Sequence, residues 1–152
     1  MSLRDILIQK RINETLQNLI KPSYVGDGVV LLGGCGKYFI NAYLNVKLLR
    51  FLGCSLPIEW FYIKDEFDEK YKDVVGGLEN VEFIELKTSP FEDGNHEREL
   101  GGWQSKFFSI YQSSFKRVIY LDADNFSLVN PEFLLECPEF IKFGIIMWYD
   151  GF

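Results

Sequence analysis

Two kinds of apolar segment alternate along this chain, and that alternation limits its fold more than any other feature. Short runs rich in β-branched and aromatic residues read as strands: Val29–Leu32, Ile58–Ile63, Val81–Leu86, Arg117–Leu121 and Gly144–Trp148. Val81–Leu86 is read with period two, as a strand with one polar face. Helical spacing fills the intervals. From about Lys37, the residues Phe39, Ala42, Tyr43, Val46, Leu49 and Leu52 share one stripe, and Gly53 is the expected C-terminal cap. A short charged helix is expected over about 66–75, stopped by Gly76-Gly77. A further helix is expected from Trp103 to Ser114, with Trp103, Phe107, Ile110 and Ser114 facing the core. Ahead of all these, Ser2-Leu3-Arg4-Asp5 has capping-box spacing and opens an amphipathic helix that ends at Lys21-Pro22. Strand–helix alternation of this kind predicts an α/β fold, a mainly parallel sheet with helices on both faces. The 152 residues suit one domain, 1–152, in which 1–24 form the amino-terminal helix and linker. A chain of this size buries roughly 70% of its unfolded surface and needs no disulfide or metal to fold.

Charge and composition remove several functional classes. The net charge is −6 and the basic residues are scattered, so neither nucleic acid nor an anionic membrane is an expected partner. The longest apolar run, Gly28 to Cys35, is strand-sized and far short of the ~18–20 residues of a membrane span. Charges at Arg4, Asp5, Lys10 and Arg11 break up the opening segment and argue against a signal peptide. Cys35, Cys54 and Cys137 lack C-x-x-C spacing, and His96 is the only histidine, so no structural zinc site is expected. Reduced, largely buried thiols in a reducing compartment are the expectation. The stretch 87–101 reads as a long loop that leaves His96 solvated.

Ligands of a parallel α/β sheet bind beyond the carboxyl ends of the strands. At the first such end lies Gly33-Gly34-Cys35-Gly36-Lys37, directly before a helix, where bare backbone and a helix amino terminus suit a phosphate or nucleotide. It is not a P-loop, because Leu31 replaces the first glycine and Tyr38 the Ser/Thr, and it is not G-x-G-x-x-G. A plain tight strand-to-helix turn is the alternative. At the fourth strand end, Asp122-Ala123-Asp124 presents two carboxylates that an extended backbone would put on one side. Two such acids repel each other and any phosphorylated ligand, unless a divalent cation of hard-oxygen preference sits between them. The alternative there is a solvated turn with one Asp as a cap. An Asp-nucleophile phosphatase also begins with a strand and Asp-x-Asp, but the stretch from Asn125 to Phe152 is too short for its later elements. Lys106 lies about 60° off the expected core stripe; it either snorkels to solvent or points over the sheet edge toward an anion held by Asp122 and Asp124. Gln104, just before it, is placed to hydrogen-bond a base or sugar.

Four ordered blocks carry a resemblance: Gly33 to Tyr43, Leu56 to Tyr62, Gly102 to Lys106 and Tyr120 to Asn125. Over about 28–150 the chain resembles the fungal-type α-mannosyltransferases, family 71 of the glycosyltransferases, and more loosely the glycogenin-like transferases. The resemblance implies a GT-A, Rossmann-like nucleotide-sugar fold, here expected to be incomplete at its C-terminal end. It implies that Gly33, Gly34, Lys37 and Tyr38 line the nucleotide and that Lys106 reaches the nucleotide or diphosphate. It implies that Asp122 and Asp124 are a DxD pair holding Mn²⁺ (or Mg²⁺) and donor, with Ala123 between them and Asp124 the more direct metal ligand. Trp148, Tyr149 and Asp150 look like the start of the sugar-binding segment, although Tyr149 stands where a proline is common. The family's third metal ligand is often a histidine, and His96 precedes the acid pair and fits that role poorly.

The functional expectation is a metal-dependent glycosyltransferase. It would move a sugar from a nucleotide-diphosphate donor, GDP-mannose before a UDP-hexose, to a hydroxyl of a glycan or glycoprotein. The resemblance implies retention at the anomeric carbon, and no residue is nominated as nucleophile or base. Fungal relatives are Golgi proteins with a membrane anchor; with no anchor-length apolar run in this chain, a cytoplasmic location is the expectation. The competing expectation is a non-catalytic nucleotide-sugar-binding module, or a donor-binding fragment that needs a partner chain.

Overall fold

The computed structural model describes residues 10, 24–34, 36–64, 67, 69–87 and 104–147. Its strands are β1 (Asp27–Leu32), β2 (Ile58–Tyr62), β3 (Val81–Glu85) and β4 (Arg117–Asp122). All pair in parallel, in the order β3-β2-β1-β4. Central β1 is covered on both faces, which is why Val29, Val30 and Leu31 have no exposed surface and the run is apolar throughout. On one face, Val29, Leu31, Ile58, Trp60, Ile119 and Leu121 pack against Phe39, Ala42, Val46 and Leu49 of α1 (Gly36–Phe51). Val75 of α2 (Lys72–Gly76), which follows a 3₁₀ turn at Glu69–Tyr71, joins this layer. On the other face, Val30, Phe61 and Leu86 pack with Phe108 of α3 (Gln104–Gln112). Each large side chain so buried contributes roughly 1.5–3 kcal/mol. Helices on both faces of a parallel sheet are the predicted α/β arrangement.

Local chemistry ends the elements where the sheet needs them to end. Gly53 takes φ +83°, and its N–H donates to the Arg50 carbonyl (3.1 Å) while that of Cys54 donates to Leu49 (2.9 Å). This closes α1 as the sequence predicts. The Arg50 guanidinium then donates to the carbonyls of Cys54 (2.8 Å) and Asn80 (3.1 Å), tying the helix end to the approaches of β2 and β3. Gly28 leaves room on β1 for the Phe115 ring, since a Cβ there would lie 2.1 Å from it. Cys54 and Cys137 are free thiols, and burial pushes the Cys54 thiol up.

Three expectations change. The third strand does not present one polar face: Val81 and Phe83 enter the α1 layer while Ile84 enters the α3 layer, because helices cover both faces even at this edge. The core face of α3 is not the Phe107–Ile110 stripe, for Phe107 is 75% and Ile110 38% exposed. Ser105, Phe108 and Ser109 face the sheet instead, and the two serines let the helix backbone lie close to β1. Finally, 144–147 is not a strand. Pro138–Phe143 forms α4, and Gly144 at φ +72° caps it by donating to the Phe140 carbonyl (2.7 Å). Ile145 and Met147 beyond it are exposed, and no strand pairs with this segment among the described residues. The amino-terminal helix expected over 2–20 (Lys10 apart), Cys35, His96 and its loop, Trp103 and Trp148–Asp150 lie outside the described residues. No helix among the described residues is long and apolar enough to cross a membrane.

β1 and β4 are locked at their first residues. Asp27 pairs in register with Arg117, whose Nε and Nη2 donate to the two carboxylate oxygens at 2.6 and 2.5 Å. Arg117 Nη1 also donates to the Leu135 carbonyl (3.1 Å), joining β4 to the 3₁₀ turn Pro131–Leu135. Hydrogen bonding from Arg117 holds the Asp27 carboxyl below its ordinary value. A depressed carboxylate contributes stability that is complete above its unfolded value and is lost as pH falls through the folded one. Asp27→Asn should therefore lower the urea midpoint at neutral pH, and the gap from the native protein should close as pH falls through the depressed Asp27 value, below the ordinary carboxylate range. Urea unfolding of both proteins from neutral to acid pH checks this.

Candidate functional site

The pairing of β1 with β4 sets Leu32 beside Asp122. Strand order reverses at this point, since β2 continues from β1 on one side and β4 returns on the other; crevices of parallel sheets open at such reversals. The register therefore brings the glycine turn after β1 and the acid turn after β4 to one edge.

The glycine turn is built tightly. Gly33 donates its N–H to the Phe61 carbonyl (3.0 Å) and accepts the Trp60 indole N–H on its own carbonyl (2.6 Å). A Cβ at Gly33 would lie 2.8 Å from the Tyr38 carbonyl oxygen and 3.3 Å from Ala42 Cβ. The bare position is thus required by the approach of α1, and both backbone groups of Gly33 are engaged within the protein. Gly34 is buried beside it. Gly36 begins α1 at φ +49° with open space around it. Lys37 and Tyr38 are exposed on the first turn, the ammonium 5.0 Å from the ring centroid, at the helix end where the dipole favours anions.

At the acid turn, the side chain of Asp122 shares the α3 face of β4 with Tyr120, two residues back. Its Oδ2 accepts from Lys106 Nζ (2.6 Å) and its Oδ1 from the Tyr120 hydroxyl (2.9 Å). Lys106 therefore does not simply snorkel to solvent; its ammonium is paired with the Asp122 carboxylate itself. Extended backbone stops at Asp122, because the Asn125 N–H turns back onto the Asp122 carbonyl (3.0 Å). The strand period expected to align Asp122 with Asp124 is replaced by a turn that buries Ala123 in the α1 layer and leaves Asp124 exposed. Burial first, then both carboxylates, push the Tyr120 phenol far above its ordinary range, so it stays a neutral donor. Gln104 is exposed at the start of α3. Asp150 lies outside the described residues.

Two contributors escaped the sequence reading. Tyr120 is one, and its place two residues before Asp122 on a strand was the available signal. Asn45 is the other. It is fully buried within the apolar stripe of α1, and its Nδ2 donates to the carbonyls of Asn125 (2.9 Å) and Asp122 (3.3 Å). An amide inside a stripe of Phe39, Ala42, Val46 and Leu49 was the signal.

Among the described residues no three His, Cys, Asp or Glu side chains gather as a metal cage. The carboxylates of Asp122 and Asp124 are hard oxygens of the chemistry that suits Mg²⁺ or Mn²⁺, ions that keep waters and share their sphere with phosphate oxygens. Lys106 and Tyr120 each bond one oxygen of Asp122, whereas Asp124 is exposed.

Residues 26–151 match the model of the family described as "Mannosyltransferase putative". The alpha-1,2-mannosyltransferase MNN5 of Saccharomyces cerevisiae is 35% identical over 130 residues, covering 82% of this chain and 21% of its own length. Candida albicans MNN24 is 34% identical over 129 residues, covering 82% of this chain and 17% of its own. Candida albicans MNN2 is 27% identical over 130 residues, covering 85% and 22%; both are alpha-1,2-mannosyltransferases. The chain spans about a fifth of the length of the curated relatives it matches.

If the missing side chain at Gly33 serves packing, its loss should appear without any ligand. Gly33→Ala is expected to destabilise the fold by about 1–3 kcal/mol through overpacking against α1, read as a lower urea midpoint in ligand-free protein.

Proposed function

The chain belongs to this mannosyltransferase family, and from that premise we propose that it forms the donor-binding region of a metal-dependent α-mannosyltransferase. The donor is a nucleotide-diphosphate mannose, GDP-mannose before any UDP-hexose, and the acceptor is a hydroxyl of a glycan or glycoprotein. One observation carries the reading: Asp122, gripped by Lys106 and Tyr120, stands at a strand reversal beside the glycine turn, with Asp124 exposed next to it. The alpha-1,2-mannosyltransferase names of the relatives support mannose as the sugar.

Each residue has a physical task in this reading. Asp124 and Asp122 would hold Mn²⁺ or Mg²⁺, which as a Lewis acid stabilises charge on the departing diphosphate. Lys106, on the rim of α3, adds positive charge at the same place, and its bond to Asp122 keeps the ammonium from swinging into solvent. Tyr120 remains protonated and orients the Asp122 carboxylate. Gly34 and the first turn of α1, with Lys37 and Tyr38, line the nucleotide side of the crevice. Gln104 hydrogen-bonds the base or sugar.

The test is thermal unfolding with GDP-mannose, UDP-glucose and UDP-galactose, each with Mn²⁺ and with EDTA. A donor at 100 times its dissociation constant stabilises by about 2.7 kcal/mol. The expected result is an upward shift with GDP-mannose that EDTA abolishes and Asp124→Ala removes. No shift with any donor in cooperatively unfolding protein overturns the reading. Mn²⁺-dependent release of free mannose marks an enzyme, whereas binding without turnover marks a module that needs a partner chain.

A further inference from the structure

The acid turn is held from behind by one side chain that touches neither carboxylate. We propose that Asn45 is a positioning residue that sets the direction of Asp124; the inference rests on the donor-site reading above. Its Nδ2 donates to the carbonyl at each end of the four-residue turn, Asp122 (3.3 Å) and Asn125 (2.9 Å), while the Asn125 N–H closes the turn onto Asp122 (3.0 Å). Both targets are carbonyl oxygens, so only the amide NH₂ can face them, and the orientation of the side chain follows.

Packing does not account for an amide here. Asn45 is 0% exposed among Phe39, Ala42, Val46 and Leu49, where an apolar residue would bury without loss of solvation. Its Oδ1 is also buried, with no hydrogen-bond partner. A half-satisfied amide in an apolar stripe costs stability, and what it supplies in return is a fixed turn. α1 also carries Lys37 and Tyr38 on its first turn. One helix thereby sets the spacing between the nucleotide side of the crevice and Asp124. A rigid helix that reaches the back of the turn orders Asp124 before any ligand arrives, which lowers the ordering cost of binding.

Asn45→Leu removes both donors, and Asn45→Ala does so with less bulk should leucine prevent folding. Two readouts are taken on each variant: hydrogen exchange of the Asn125 amide in metal-free protein, and Mn²⁺ affinity with GDP present, followed by the electron paramagnetic resonance of free Mn²⁺. We expect Asn125 exchange to quicken about tenfold or more while the amides of β1 and β2 keep native rates. Mn²⁺ affinity with GDP should fall about tenfold, a loss that a purely structural role with native folding would not produce. Native exchange at Asn125, or native Mn²⁺ affinity in a variant, overturns the inference. So does faster exchange spread evenly over the sheet. If the native protein itself binds no Mn²⁺ with GDP, or Asp124→Ala binds it undiminished, the donor-site reading fails instead. The Asn125 exchange rate then decides by itself whether Asn45 fixes the turn.

Discussion

Parallel pairing of β1 with β4, Leu32 beside Asp122 and Asp27 beside Arg117, is the constraint from which the site follows. A slip of one residue would turn Asp122 away from α3 and bury a carboxylate in the layer now filled by Leu121 and Ala123. The bidentate Asp27–Arg117 pair guards the register at one end of the strands. At the other end α1 sits tightly on Gly33 after β1 and, through Asn45, donates to the Asp122 and Asn125 carbonyls at the end of β4. The candidate site thus borrows its rigidity from the same contacts that hold the core.

Charge is handled economically at that edge. Asp122 has a lysine on one oxygen and a phenol on the other, so its negative charge is compensated before any ligand arrives. Asp124 lacks that enclosure and stays exposed. Two neighbouring carboxylates are therefore placed in different electrostatic settings, one paired with a lysine and a phenol and one exposed. Burial keeps the Tyr120 phenol neutral beside both, so the proton in its bond to Asp122 is retained across the ordinary pH range.

Much of the fold was legible from pattern. β1, β2, β4 and α1 appear where apolar runs and the Phe39–Leu49 stripe put them, and Gly53 caps α1 as its position implies. The failures share a cause. In α3, periodicity offered Phe107 and Ile110 as the buried face, but the sheet accepted Ser105 and Ser109, because close approach to β1 favours small residues over large ones. For 144–147, apolar β-branched character suggested a strand, yet strand identity requires a paired neighbour, and Gly144 there serves to cap α4. The acid pair was expected to align through strand period, whereas a turn at Asp122 sets the relation between the two carboxylates.

By itself the sequence determined the α/β class, the elements that flank the site and the residue types at the two strand ends. Hydrophobic period and glycine placement act locally and are written in neighbouring positions. Only the tertiary structure decided that Lys106 meets Asp122, that Tyr120 shares it, and that Asn45 braces the turn from 77 and 80 residues away. It also decided that Gly33 is bare for the sake of a helix. These are through-space relations, set by which helix face the sheet accepts and by strand register, and no spacing along the chain encodes them directly.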